Sequence, residues 1–150
     1  MTEKATFNPI RTVPGPWSDE DIRCMPTRGF QKTLGIELDE VSPKCITAHI
    51  DIDSRHVNSV GAVHGGILMS LADSLGAMGA LQNLGPRQKT ATLESKTNFV
   101  RSFAGARVAA ECRPLHLGQR TSVWQTVLRN EDGKICAYVW QTQIHIDSPT

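Results

Sequence analysis

Asp73 is the only charged residue in the stretch 65–84, which is otherwise apolar and small. A carboxylate in that setting is costly unless it is paired or hydrogen-bonded. It therefore either faces solvent, or bonds within its own helix, or serves as a reacting group, as nucleophile or general base. Eight positions upstream, Gly65 and Gly66 open the same stretch with no Ser, Thr or Asp cap beside them. The first N–H groups of a helix lack intrahelical partners, so this turn offers donors to an oxygen gaining negative charge. The plain alternative is that glycine serves only a tight turn. His56, His64 and Asp73 also raise a zinc site, but their spacing fits no common ligand pattern.

Residues 64–84 are predicted to be helical. Ile67, Leu68, Leu71, Leu75, Met78 and Leu81 follow three-and-four spacing. The second face carries Ala72, Gly76, Ala77, Gly79 and Ala80, so the helix is buried nearly all round, with a sheet or a partner helix close to its small residues. On such a helix Asp73 lies about 12 Å beyond Gly65 and is rotated from it by about 80°. One small reacting group does not easily reach both in a single chain. If both act on one bond, the second comes from another subunit, and the site requires a symmetric dimer.

The rest of the chain must position that helix. The start is proline-rich, with Trp17 pinning its end to the body. Ser18 caps a short helix that Pro26 stops, and residues 27–34 form a further helical turn ended by Gly35. Ile36, Leu38 and Glu40 alternate with Glu37, Asp39 and Val41, Cys45 to Ile52 alternates again with Ile46, Ala48, Ile50 and Ile52 on one face, and together they read as a hairpin. Four strand-like runs follow the helix, at about 90–100, 106–115, 121–130 and 134–147. Trp124, Thr126 and Leu128 share one parity. So do Cys136, Tyr138, Trp140, Thr142, Ile144 and Ile146, which are expected to be the buried face of the last strand. The order implies an α+β domain: one antiparallel sheet of five to six strands wrapped around a central helix.

The chain of 150 residues carries a net charge of +1 with signs mixed, and has no basic stripe that would point to nucleic acid. No stretch approaches the roughly 20 apolar residues of a membrane span, and the charged start lacks the pattern of a secretory signal. The four cysteines, Cys24, Cys45, Cys112 and Cys136, are widely spaced and read as reduced thiols in a cytoplasmic protein.

His64-Gly65-Gly66 with Asp73 seven residues after Gly66, preceded by His56, Asn58 and Gly61, resembles the hotdog-fold acyl-CoA thioesterases. The likeness is to the PaaI-type and Arthrobacter-type 4-hydroxybenzoyl-CoA branch. Thr92-x-Glu94-x-Lys96-x-Asn98-Phe99 adds to it, and it covers roughly residues 27–147. Residues 1–26 then form an N-terminal arm and short helix, and 27–150 a single thioesterase domain. The resemblance implies hydrolysis of an acyl-CoA, with CoA as part of the substrate and no separate cofactor or metal. Gly65 would polarise the thioester carbonyl through its N–H, and Asp73 would attack it or activate water. Asn58 would hold the carbonyl or the water, His64 would orient the loop or contact the thioester, and Thr92 would position water near the acid. Each supporting residue has a plainer role open to it: a loop turn for Asn58, a structural histidine at His64, an ordinary strand threonine at Thr92. Asn58, His64 and Gly65 would come from one subunit, with Asp73 and Thr92 from its neighbour, in a homodimer at minimum and a homotetramer by family habit. Arg120 stands where the family often has a basic residue near the CoA nucleotide; Arg55, Lys96 and Arg101 are further candidates. Room for an aromatic or medium-chain acyl group is expected beside Ala77, Gly79 and Ala80. The competing activities are a non-catalytic acyl-CoA-binding protein and a hotdog dehydratase or hydratase.

Overall fold

The computed structural model describes residues 16–147, so most of the proline-rich arm lies outside the described residues. A short helix α1 (Asp19–Cys24), a 3-10 turn (Met25–Thr27) and a second helix α2 (Gly29–Leu34) lead into the hairpin β1 (Ile36–Ser42) and β2 (Cys45–Asp51). The long helix α3 (Gly65–Gln82) follows, then β3 (Gln88–Phe99), β4 (Arg107–Leu117), β5 (Thr121–Arg129) and β6 (Ile135–Asp147). All six strands form one antiparallel sheet in the order β1-β2-β4-β5-β6-β3. The sheet wraps α3, as expected.

The core lies between the sheet and α3. Leu68, Leu71, Ala72, Leu75 and Met78 meet Ile46, Ala48 and Ile50 of β2, Val108, Ala110 and Cys112 of β4, and Trp124 and Leu128 of β5. Shape complementarity sets how close the layers come. A Cβ added at Gly79 would stand 2.5 Å from the Trp124 ring, and one at Gly76 would overlap the Gln141 side-chain amide. The close approach at both glycines is therefore by the sheet. Asn83 ends α3, its amide donating to the carbonyls of Gly79 and Pro43 at 2.8 Å each.

The short leading helix belongs to this core. Ser18 and Asp21 form a reciprocal capping box, Ile22 is fully buried, and the Trp17 N–H donates to the Leu81 carbonyl at 3.2 Å.

Two strand faces differ from the pattern read in the sequence. In β1 the register shifts between Leu38 and Val41, and Val41 rather than Glu40 joins the buried face. The bulge leaves Glu40 outside, its N–H taken by the Thr47 hydroxyl at 3.0 Å. In β6 the buried parity is Ala137, Val139, Gln141, Gln143 and His145, while Tyr138 and Trp140 stack at 5.8 Å on the opposite face of the sheet. Those polar side chains can turn inward because each has partners there. Gln141 donates to the Asp73 carbonyl at 3.3 Å, Gln143 bonds to Thr90 and Thr92, and His145 lies 3.0 Å from the Ser122 hydroxyl.

Candidate active site

The loop before α3 is closed on itself. The Asn58 side-chain oxygen accepts from the N–H groups of Val60 at 3.0 Å and Ala62 at 3.1 Å. Gly61 takes φ +82, a conformation that suits glycine. His56, 2% exposed, fixes the base of the loop: its carbonyl accepts from the His64 N–H at 2.8 Å, and its Nδ1 accepts from the Asp53 N–H at 3.0 Å. Asp53 is held in turn by Arg55, whose hydrogen bonds bring its carboxyl down to about 2.

His64 caps α3, its Nδ1 accepting from the Gly66 N–H at 2.9 Å. Acting as acceptor there, the neutral ring carries its proton on Nε2. The Gly65 N–H, one position earlier, has no hydrogen-bond partner among the described residues. It opens onto a cavity of about 390 Å³ whose walls include Asn58, Gly65, Leu68, Phe99, Arg101 and Phe103. Asn58 spends its oxygen on the loop and so has its amide N–H groups to offer this space. A cavity lined by both polar and apolar groups, with a free N–H at a helix N-terminus and the Asn58 amide in its wall, suits a carbonyl oxygen that becomes more negative as it is attacked.

Asp73 and Thr92 are not part of that cavity. They meet each other farther along α3, where the Thr92 hydroxyl donates to Asp73 Oδ1 at 2.9 Å. Gln143 donates to the same hydroxyl at 2.7 Å and accepts from Thr90 at 2.9 Å. Gln143 and Thr90 were not among the candidates from sequence. For Gln143 the signal was the parity it shares with Ala137 and Val139 along β6, which the aromatic residues of the other parity obscured; Thr90 stands two residues before Thr92 on β3.

The four basic candidates separate. Arg101 lines the Gly65 cavity. Arg120 lines a second cavity of about 450 Å³ with Asn83, Gln88, His145 and Asp147. Its backbone carbonyl there accepts from the His145 N–H at 2.8 Å. Arg55 is committed, donating to both Asp53 oxygens and to the Thr33 carbonyl. Lys96 pairs in register with Trp140, on the sheet face turned away from α3. The room expected beside Gly79 and Ala80 is filled: both are buried, with Gly79 against Trp124. Only Ala77 of that trio stays half-exposed, one turn beyond Asp73.

The zinc set does not assemble. The single group of three potential ligands within reach of one another, among the described residues, is Glu37, His49 and Asp51 on the hairpin. The three buried thiols are poor nucleophiles where they sit. Burial pushes Cys112 up to about 12 and also raises Cys45 and Cys136.

Residues 60–137 match the family described as the thioesterase superfamily. The 1,4-dihydroxy-2-naphthoyl-CoA hydrolase of Escherichia coli K12 is 36% identical over 117 residues, which are 78% of this chain and 86% of that one. The proofreading thioesterase EntH of Klebsiella pneumoniae is 31% identical over 103 residues, 69% of this chain and 75% of its own. Among solved structures, a mutant of thioesterase PA1618 from Pseudomonas aeruginosa superposes with a TM-score of 0.79 at 30% identity, covering 87% of this chain and 94% of that one.

Proposed function

This chain belongs to the thioesterase superfamily and is a thioester hydrolase, and we propose that it cleaves an aromatic or medium-chain acyl-CoA with Asp73 as the reacting carboxylate. The acyl carbonyl would sit in the Gly65 cavity, its oxygen facing the Gly65 N–H and the Asn58 amide, its carbon chain or ring against Leu68, Phe99 and Phe103. Asp73 would then attack the carbonyl carbon, or take a proton from the water that does. The carbon–sulfur bond breaks, and the products are the free acid and CoA.

The observation that carries this reading is the division of the machinery along α3. Gly65 and Asn58 line one cavity at its start, and a carboxylate bonded to Thr92 stands eight residues on. That spacing, about 12 Å along the axis, favours a site shared between two copies of the chain. β3 supports the same reading. It is an edge of the sheet, 12 residues long, with Leu93 60% exposed and Phe99 52% exposed, and open edges of that kind invite pairing. We therefore take the working unit to be a homodimer, with a tetramer built from two of them. His64 serves as the cap that presents Gly65 to the substrate.

The CoA nucleotide would lie over the second cavity, where Arg120 makes no ion pair among the described residues. Arg101 at the mouth of the first cavity is the other cation placed to meet a phosphate. No helix among the described residues is long and apolar enough to cross a membrane. A reducing cytoplasm suits both the substrate and the four free thiols.

Free-thiol release from a panel of aromatic and aliphatic acyl-CoAs tests the reading. Some member of the panel should be hydrolysed, and Asp73→Asn should lower kcat by roughly a thousandfold or more with the circular dichroism spectrum unchanged. Near-parental turnover in that variant would remove Asp73 from the chemistry.

A further inference from the structure

We propose that Gln143, oriented by Thr90, is a positioning residue that directs the Thr92 hydroxyl proton onto Asp73; this rests on the reading of Asp73 as the reacting carboxylate. A hydroxyl has one proton to donate, and an ionised carboxylate can only accept. The contact of 2.9 Å between Thr92 Oγ and Asp73 Oδ1 therefore commits the Thr92 proton to Asp73. Thr92 can then only accept from its other neighbour. Gln143 meets that need with its Nε2, at 2.7 Å. Its Oε1 must in turn receive a proton, and the Thr90 hydroxyl lies 2.9 Å from it.

Turning the Gln143 amide over breaks this order. Oε1 would face Thr92 and compete for its proton, leaving Thr92 Oγ and Asp73 Oδ1 as two acceptors in contact. Thr90 would lose the shorter of its two acceptors, Oε1 at 2.9 Å, and keep only the Ile144 carbonyl at 3.1 Å, so its hydroxyl favours the unturned amide. The orientation of one buried amide is thus tied to the ionised, reactive form of Asp73. Gln143 is fully buried, so water does not compete for its amide. The chain of bonds occupies Oδ1 and leaves the other carboxylate oxygen for the reaction. The β3–β6 ladder holds the spacing, with Thr92 directly opposite Gln143 and Thr90 opposite His145.

The test compares kcat and KM for thiol release from benzoyl-CoA and hexanoyl-CoA in the full-length parent, Gln143→Met, Thr92→Val, and the double variant. Met keeps the length of Gln and removes the donor. Gln143→Met should lower kcat on the order of tenfold while KM stays within about twofold. In the Thr92→Val background the same change should lower kcat by less than about twofold, because the route to Asp73 is already cut. An unchanged kcat in the parent background, or the same loss in both backgrounds, overturns the proposal. If Gln143→Met does not fold, Thr90→Val, which removes only the orienting hydroxyl, is carried through the same two backgrounds with the same criteria. A parent that turns over and is silenced by Asp73→Asn isolates the outcome to Gln143. A parent that releases thiol yet keeps its rate in Asp73→Asn instead removes the premise, and both statements fall.

Discussion

At Gly65 two physical roles coincide: the residue leaves space for the Phe99 ring and offers an N–H to the cavity. A Cβ there would come within 3.0 Å of Phe99 Cζ, tight enough that the ring must give slightly. The two roles can be separated. Gly65→Ala adds the Cβ and keeps the donor. Gly65→Pro adds carbon and removes the donor, at the first helical position, where proline is tolerated because that N–H bonds to nothing in the helix. The preceding His64 already has φ −68 and ψ 128, the extended conformation that a following proline requires. If the Gly65 N–H polarises the thioester carbonyl, Gly65→Pro should fall below Gly65→Ala in kcat by roughly a hundredfold or more, the usual cost of losing one such donor. Equal rates in the two variants would assign Gly65 a purely steric role. Melting temperatures of both variants guard against reading a folding defect as lost chemistry.

The element that most constrains the fold is α3, and its second face is shaped by contact with the sheet. Gly79→Ala tests this. In an open helix the change would gain about 1 kcal/mol of propensity. Here the new Cβ would stand 2.5 Å from Cζ3 and 2.6 Å from Cη2 of Trp124, a fully buried ring whose N–H is anchored to the Ser122 hydroxyl at 2.9 Å. Overpacking costs typically 1–3 kcal/mol, so the net result should be a destabilisation of about 1 kcal/mol, read by urea denaturation; a variant more stable than the parent would contradict the packing described. The helix itself was legible in the sequence because three-and-four spacing and the Gly-Gly start are local signals, and the acid stood out against an apolar ground. The wall opposite it was harder to read. Along β6 an alternation of Tyr138, Trp140 and Ile144 with Gln141, Gln143 and His145 carries two periodic signals of opposite parity, and hydrophobicity favours the wrong one. A strand facing a polar site buries its glutamines, and its aromatic residues then fall on the other side of the sheet. Only partners distant in sequence, such as Gln143 with Thr92 and Gln141 with the Asp73 carbonyl, decide between the two. The bulge that brings Val41 inward is likewise set by pairing with β2 rather than by its own residues.

At the scale of the molecule, a single chain on the proposed reading presents two half-sites along α3. The Gly65 cavity lies at the start of α3, and Asp73, bonded to Thr92 of β3, stands farther along the helix; the two do not share a wall. A two-fold axis relating two copies would make each helix supply the start of one site and the acid of the other, and that arrangement has an arithmetic consequence. Take Asp73→Ala and Gly65→Pro as two inactive variants. In a hybrid dimer one site combines the intact Gly65 of the first chain with the intact Asp73 of the second, while the other site carries both lesions. Random exchange of equal amounts gives hybrids as about half of all dimers, each with one of its two sites intact. The mixture should therefore recover about a quarter of the parental rate. Were each site built within one chain, every site in the mixture would carry one lesion, and no activity would return. Tagging the two variants differently and isolating the hybrid by tandem affinity capture removes the dependence on exchange. The isolated hybrid should then run at about half the parental rate per dimer, and an inactive hybrid would place the whole of the chemistry within a single chain.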